Sequence, residues 1–189
     1  MMNIKSKTKL LGKTDISRMI SRLTHEIIEK NGDPENLVLI GILSRGEPLA
    51  QRIKKNIREL TQKSVELGTV NISFHRDDFM ERLVVPQVKG TNISFSLDKR
   101  TVVLVDDVLY TGRTIRAAID ELLSFGRPAK IQLSVLVDRG HREMPIKADF
   151  VGKNIPTNEG EHVNVFLEEI DGTELVELRQ YEKGMDNAD

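Results

Sequence analysis

The chain has 189 residues, 39% of them hydrophobic and 30% charged, enough for one core and the length of one domain. It contains no cysteine, which excludes disulfides, thiolate catalysis and Cys-based zinc sites. The net charge of −1 hides an asymmetry: residues 1–158 carry 26 Lys/Arg against 19 Asp/Glu, while residues 159–189 carry 2 against 10. A basic body suits a polyphosphate ligand or a nucleic acid. The opening MMNIKSKTKLLGK lacks the apolar segment of a signal peptide, and no stretch approaches the ~18 apolar residues of a membrane span. A cytoplasmic protein is expected, with no membrane partner.

Residues 14–30 read as an amphipathic helix capped by Thr14 or Asp15, with Ile16, Ile20, Leu23 and Ile27 as its buried stripe. Arg18, Arg22 and His25 fall on another face at i, i+4 and i+7, a spacing that can present successive donors to a phosphodiester backbone or can simply be solvated. Leu37–Ile42 is a buried strand. It runs into Leu43-Ser44-Arg45-Gly46, an anion-binding type of turn, and then a helix from about Pro48 to Thr61. That helix turns Leu49, Ile53, Ile57 and Leu60 inward and Arg52, Lys54, Lys55 and Arg58 outward. Residues 65–75 alternate like a strand with one solvent-facing side. From Arg76-Asp77-Asp78 to Lys99 the periodicity is lost over a length that suggests a mobile lid, unless Leu83-Val84-Val85 pairs with Ile93-Ser94-Phe95 in a hairpin.

Thr101–Phe125, TVVLVDDVLYTGRTIRAAIDELLSF, is the stretch on which the chemistry turns. Val102–Val105 is the β-branched run of a strand buried on both faces, which argues for a parallel sheet. Asp106 and Asp107 close it. Ile115, Ala118, Ile119, Leu122 and Leu123 then recur at helical spacing, so the turn Tyr110-Thr111-Gly112-Arg113-Thr114 leads into a helix N-terminus. Unpaired amides, the positive dipole end, Gly112 and two threonine hydroxyls make a phosphate cradle. The spacing is neither G-x-x-x-x-G-K-[ST] nor G-x-G-x-x-G. Two acids beside such a cradle suit a sugar phosphate, with carboxylates accepting from vicinal hydroxyls.

The run VVLVDDVLYTGRT closely resembles the phosphoribosyl pyrophosphate signature of type I phosphoribosyltransferases. The resemblance implies that Asp106 and Asp107 hold the ribose hydroxyls and that Val108 to Thr114 form the 5′-phosphate loop. It matches Ser44, Arg45 and Gly46 to the pyrophosphate loop, where relatives often read Lys-Thr-Arg-Gly, so that Leu43-Ser44 removes one positive charge. Relatives often turn these amides with a non-proline cis peptide, expected here between Leu43 and Ser44. The lid, with Arg76, Asp77 and Asp78, would exclude water from a cationic sugar. Mg2+ would enter on the substrate near Asp106 and Asp107, with no metal site of the protein's own.

Ile131–Val137 is the next core strand, and Gly126-Arg127-Pro128 turns the chain back towards it. RLTHEIIEKN, RPAKIQLSVLVDRGHRE and the segment 138–157 resemble the bacterial pyrimidine-operon attenuators that are also uracil phosphoribosyltransferases. The likeness spans roughly residues 16–180. It implies a base region at Val137, Asp138 and Arg139, and binding of uracil, UMP or UTP, and pyrimidine-operon leader mRNA. It also implies a homodimer or higher oligomer. Arg18, Arg22, His25, His141, Arg142, Lys147 and Lys153 are the candidate RNA contacts; with aromatics at only 4%, extensive base stacking is not expected. Tyr110 stands where many purine-using relatives carry an acid, and His75 replaces a tyrosine common in the attenuator branch. A purine enzyme, or an RNA-binding nucleotide sensor with little turnover, remains the alternative.

The fold expected is one α/β domain over residues 1–189: a central parallel sheet flanked by helices, a lid at about 76–99 and a small hood. The hood is expected at about 138–180, together with the N-terminal segment. It would contain a hairpin turning at Asp171-Gly172, followed by a disordered tail at about 183–189.

Overall fold

The computed structural model describes residues 4–72 and 90–181. Its centre is a parallel sheet of β2 (Leu37–Ile42), β3 (Glu66–Val70), β4 (Thr101–Leu109), β5 (Lys130–Asp138) and β6 (Phe150–Asn154), in the order β3-β2-β4-β5-β6. Strand β2 and the Val102–Val105 run of β4 are apolar because both their faces are covered. Leu39, Val103 and Val105 pack beneath α1 (Lys13–Asn31) and α2 (Gly46–Thr61), whereas Val38, Ile40, Val102 and Leu104 pack beneath α3 (Arg113–Leu122).

The placement of the helices follows from handedness. The connection from β2 runs to one edge of the sheet and the connection from β4 to the other, so two right-handed crossovers put α2 and α3 on opposite faces. The strand order therefore reverses between β2 and β4. A crevice opens there at their carboxyl ends, the usual ligand position of such sheets.

A second, antiparallel sheet forms the hood: β1 (Ile4–Gly12), β8 (Leu175–Tyr181) and β7 (Glu161–Phe166), with α4 (Glu168–Asp171) between β7 and β8. The turn at Asp171-Gly172 thus ends a single helical turn, with Gly172 at φ 65° as its left-handed cap. The hood is tied to the sheet's helices by Lys13–Glu168 at 3.4 Å, Arg52–Glu169 at 2.8 Å and Arg52–Glu174.

Several expectations are corrected. Helix α1 is capped by Gly12, whose amide donates to Asp15 at 2.9 Å, so Asp15 is the third helical residue and not the cap. Leu60 and Leu123 are exposed, because each lies at a helix end where the stripe has rotated off the sheet. Arg52 is paired with the hood and not merely solvated. Residues 150–154 pair with β5 in the main sheet, which divides the segment expected to form the hood. Strand β1 went unread because it carries no apolar residue between Ile4 and Leu10. Strand β3 ends at Val70, and Thr69 makes an isolated antiparallel bridge to Asn92. His75, Arg76, Asp77 and Asp78, the 76–89 part of the expected lid and the 183–189 tail lie outside the described residues.

The start of α2 presses on β4. A Cβ on Gly46 would lie 2.3 Å from the Val105 carbonyl oxygen, and one on Gly41 would lie 2.6 Å from the Glu47 Cα. Backbone, not a flexible side chain, is what it would meet. Gly46→Ala should therefore destabilise the fold by about 1–3 kcal/mol, read as a lower urea midpoint. An unchanged midpoint would show that α2 can move outward freely.

Candidate active site

A cleft of about 1290 Å3 occupies the crevice between β2 and β4, roofed by the hood. Its floor is Leu43–Arg45 and Asp106–Thr114; its roof is Val163–Phe166 of β7 with Arg179 of β8. The two strand-to-helix turns and the acid pair thus share one space.

On the β4 side, Asp106 is buried and its carboxylate accepts the Asp107 amide at 2.9 Å, while that of Asp107 accepts the Val108 amide at 2.8 Å. Burial pushes the Asp107 carboxyl above its ordinary range; the hydrogen bond to Asp106, the charge of Arg45 and the local amides oppose this without overcoming it. A hydroxyl donor in the cleft would favour the ionised form of Asp107.

Beyond them the chain passes through exposed Tyr110 to Gly112, whose φ of 92° is the left-handed conformation that starts α3. Segment 142–146 braces this loop. The Thr111 carbonyl accepts the amides of Glu143 and Met144, both at 2.9 Å, and a Cβ on Gly112 would lie 3.1 Å from the Met144 Cβ. Arg142 is the staple: it donates to the carbonyls of Tyr110 at 2.8 Å, Gly140 at 3.1 Å and Ile146 at 3.0 Å, and pairs with Asp138.

On the β2 side, the Leu43-Ser44 peptide is cis, and Arg45 caps α2 so that Gly46 begins the helix. Arg45 grips Asp171 of the hood through two hydrogen bonds, at 3.2 and 2.7 Å. Burial would raise the Asp171 carboxyl, but the bonds from Arg45 and the Leu167 amide outweigh it and hold the group below its ordinary range.

Of the expected base region, Arg139 lines the cleft and Val137 does not; it is fully buried beneath the sheet. Asp138 is engaged with the Gly140 amide and Arg142. The Arg139 guanidinium stacks 3.9 Å from the Tyr110 ring centroid and donates to Thr157 Oγ1 at 3.2 Å and the Glu161 carbonyl at 2.6 Å. Burial pulls its pKa below the ordinary value, with Tyr110 and Glu161 opposing.

The candidate RNA contacts separate into two sets. Arg142 is committed to the loop, and the His141 Nε2–H donates to the Thr157 carbonyl at 2.6 Å. Arg22 pairs with Glu26 and docks α1 on β6 by donating to the carbonyls of Val151 at 3.1 Å and Gly152. Arg18, His25, Lys147 and Lys153 are exposed.

The phosphoribosyl transferase domain family matches residues 8–170, most of the chain and all of the cleft's floor. The chain belongs to the phosphoribosyltransferase family. Its relatives include the bifunctional protein PyrR of Clostridioides difficile, 52% identical over 174 residues covering 92% of this chain and 98% of that one. Those of Deinococcus radiodurans and Thermus thermophilus are each 52% identical, covering 91% and 93% of this chain and 94% and 97% of theirs. Among solved structures, a hypoxanthine phosphoribosyltransferase from Staphylococcus aureus superposes with a TM-score of 0.66 at 22% identity. It covers 95% of this chain and 93% of that one, and establishes the shared phosphoribosyltransferase fold.

Reading the sequence missed the hood's contribution to the cleft: Val163, Asn164, Phe166, Arg179 and, through Arg45, Asp171. The only available signal was the hairpin-like pattern of residues 162–180, which shows a pair of strands but not what they face.

The raised Asp107 carboxyl has a consequence for stability. A carboxyl whose folded pKa is raised supports the fold below its unfolded pKa and loses that support as pH rises through the folded one. Asp107→Asn should therefore melt higher than the unliganded wild type at pH 7, by about 2 °C or more, with the gain shrinking as pH falls into the carboxylate range. A lower melting temperature at pH 7 would show that the ionised group is favoured in the fold.

Proposed function

We infer that the chain joins uracil to the ribose 5-phosphate of phosphoribosyl pyrophosphate, giving UMP and pyrophosphate, and also regulates pyrimidine genes by binding leader mRNA in response to uridine nucleotides. The carrying observation is the single cleft in which Asp106-Asp107, the N-terminus of α3 and Arg45 face one another. Full-length likeness to bifunctional relatives supports the pairing of a transferase with a second role. Tyr110, in place of an acid suited to a purine ring, supports uracil as the base.

In this reading the amides of Tyr110 to Thr114 hold the 5′-phosphate and the acid pair accepts the ribose hydroxyls. The C1–oxygen bond to pyrophosphate loosens first and the leaving group takes the electron pair. Uracil N1 then bonds to C1 and releases its weakly acidic proton. Arg45 and the amides of Ser44 and Gly46 absorb the leaving charge from positions set before the reaction.

Among the described residues, no three His, Cys, Asp or Glu side chains converge to hold a metal ion. Asp106 and Asp107 nevertheless offer the hard oxygen donors that suit Mg2+ arriving on the substrate, where the cation neutralises pyrophosphate charge. No helix among the described residues is long and apolar enough to cross a membrane, and the reaction's substrates belong to the cytoplasm. Assembly into a dimer or larger oligomer completes the reading; light scattering at micromolar concentration should show more than monomer.

Incubation with Mg2+, phosphoribosyl pyrophosphate and each nucleobase in turn should yield product with uracil. Asp107→Asn should lower kcat/KM more than tenfold, about 1.4 kcal/mol of transition-state stabilisation. Product with hypoxanthine would assign a purine enzyme, and none with any base a nucleotide sensor.

For RNA, Arg18→Ala with Lys153→Ala should weaken leader binding and flatten its salt dependence without changing turnover. Arg22 and Arg142 are unsuited to this test, because both arginines hold backbone carbonyls. Wild-type protein that ignores leader RNA at ~50 mM salt with UMP present would remove the regulatory role.

A further inference from the structure

Arg45 is held at one edge before any substrate arrives. Its Nε and Nη2 donate to the two oxygens of Asp171 at 3.2 and 2.7 Å, and Asp171 Oδ2 also accepts the Leu167 amide at 2.9 Å. A two-point contact with a planar guanidinium fixes its plane and direction, which a single contact does not. Nη1 takes no part in that contact, and Arg45 lines the cleft. The acceptor is equally constrained, since Asp171 lies at the end of α4 between two strands of the hood sheet.

This ion pair is one of several ties between the hood and the main sheet's helices. Glu168, Glu169 and Glu174 already tie the same segment to Lys13 and Arg52, and Leu167 and Val176 on either side of it are fully buried. What the Arg45–Asp171 pair adds is the orientation of one arginine. The alternative is that Asp171 competes with the phosphate for Arg45, but competition requires the anion to take the edge that Asp171 occupies.

We propose that Asp171 is a positioning residue for the transferase reaction, gripping one edge of the Arg45 guanidinium so that the other edge is fixed towards the departing pyrophosphate. The proposal rests on the reading of Ser44–Gly46 as the pyrophosphate loop. A guanidinium fixed in advance neither searches rotamers nor reorganises as negative charge develops on the leaving group, so its effect falls on the chemical step.

Asp171→Asn retains an acceptor for the Leu167 amide and removes the charge that grips Arg45. It should lower kcat about tenfold while leaving KM for uracil unchanged, and should weaken Mg·pyrophosphate binding measured by calorimetry severalfold. In an Arg45→Ala background the same change should do nothing further to either quantity. Arg52→Ala, which loosens the hood without touching Arg45, should lower the melting temperature and leave kcat intact. Unchanged or faster turnover, or tighter pyrophosphate binding, in Asp171→Asn would make Asp171 a bystander or competitor and overturn the proposal. Equal losses in both Arg45 backgrounds, or an Arg52→Ala loss of kcat matching that of Asp171→Asn, would overturn it in favour of general support of the hood. The calorimetric arm is independent of uracil turnover. Wild-type protein that binds Mg·pyrophosphate but makes no UMP would remove the assigned reaction while the Asp171 test still reads out.

Discussion

The close approach of α2 to β4 is the constraint on which the cleft depends. Strands β2 and β4 are hydrogen-bonded neighbours, with Gly41 opposite Val105, and the absent side chain of Gly46 lets the first turn of α2 rest against the Val105 carbonyl. One residue beyond Val105 lie the two acids, and one before Gly46 lies Arg45. The separation between the backbone positions of the acid pair and of Arg45 is thus set by packing within a parallel sheet, not by the reach of flexible side chains. Strand-order reversal then sends the two turns to opposite faces, leaving space between them for an extended ligand.

The hood completes this space through electrostatics. The acidic carboxyl-terminal part of the chain does not form a separate solvated tail over its described length: Glu168, Glu169, Asp171 and Glu174 meet Lys13, Arg45 and Arg52. Most of these pairs are partly exposed, and each adds little to stability by itself. Their joint effect is registry between the two sheets. On the opposite side, Arg142 and the 142–146 segment brace the turn between β4 and α3.

The sheet strands and the turn from β4 into α3 were legible because their signals are local. A run of β-branched residues, two acids and a glycine before a helical pattern carry their meaning in one short stretch, as do Leu37–Ile42 and Lys130–Asp138. The rest depended on residues far apart in the chain. Nothing near Arg22 shows that its guanidinium will meet the carbonyls of β6, about 130 residues on. Asp171 reads as a turn residue until the folded hood brings it to Arg45. Strand β1 and strand β6 were obscured for another reason: at these sheet edges too few apolar residues recur to show a buried face, and pairing partners decide their conformation.

The central claim is that one substrate bridges two turns brought together by the sheet. Amide hydrogen exchange resolved to single residues tests it most directly, comparing free protein with protein saturated by Mg·phosphoribosyl pyrophosphate. The account predicts that amides of Tyr110–Thr114 and of Ser44–Gly46 slow together, at the same substrate concentration. Protection confined to one turn, with the other unchanged at saturation, would contradict it.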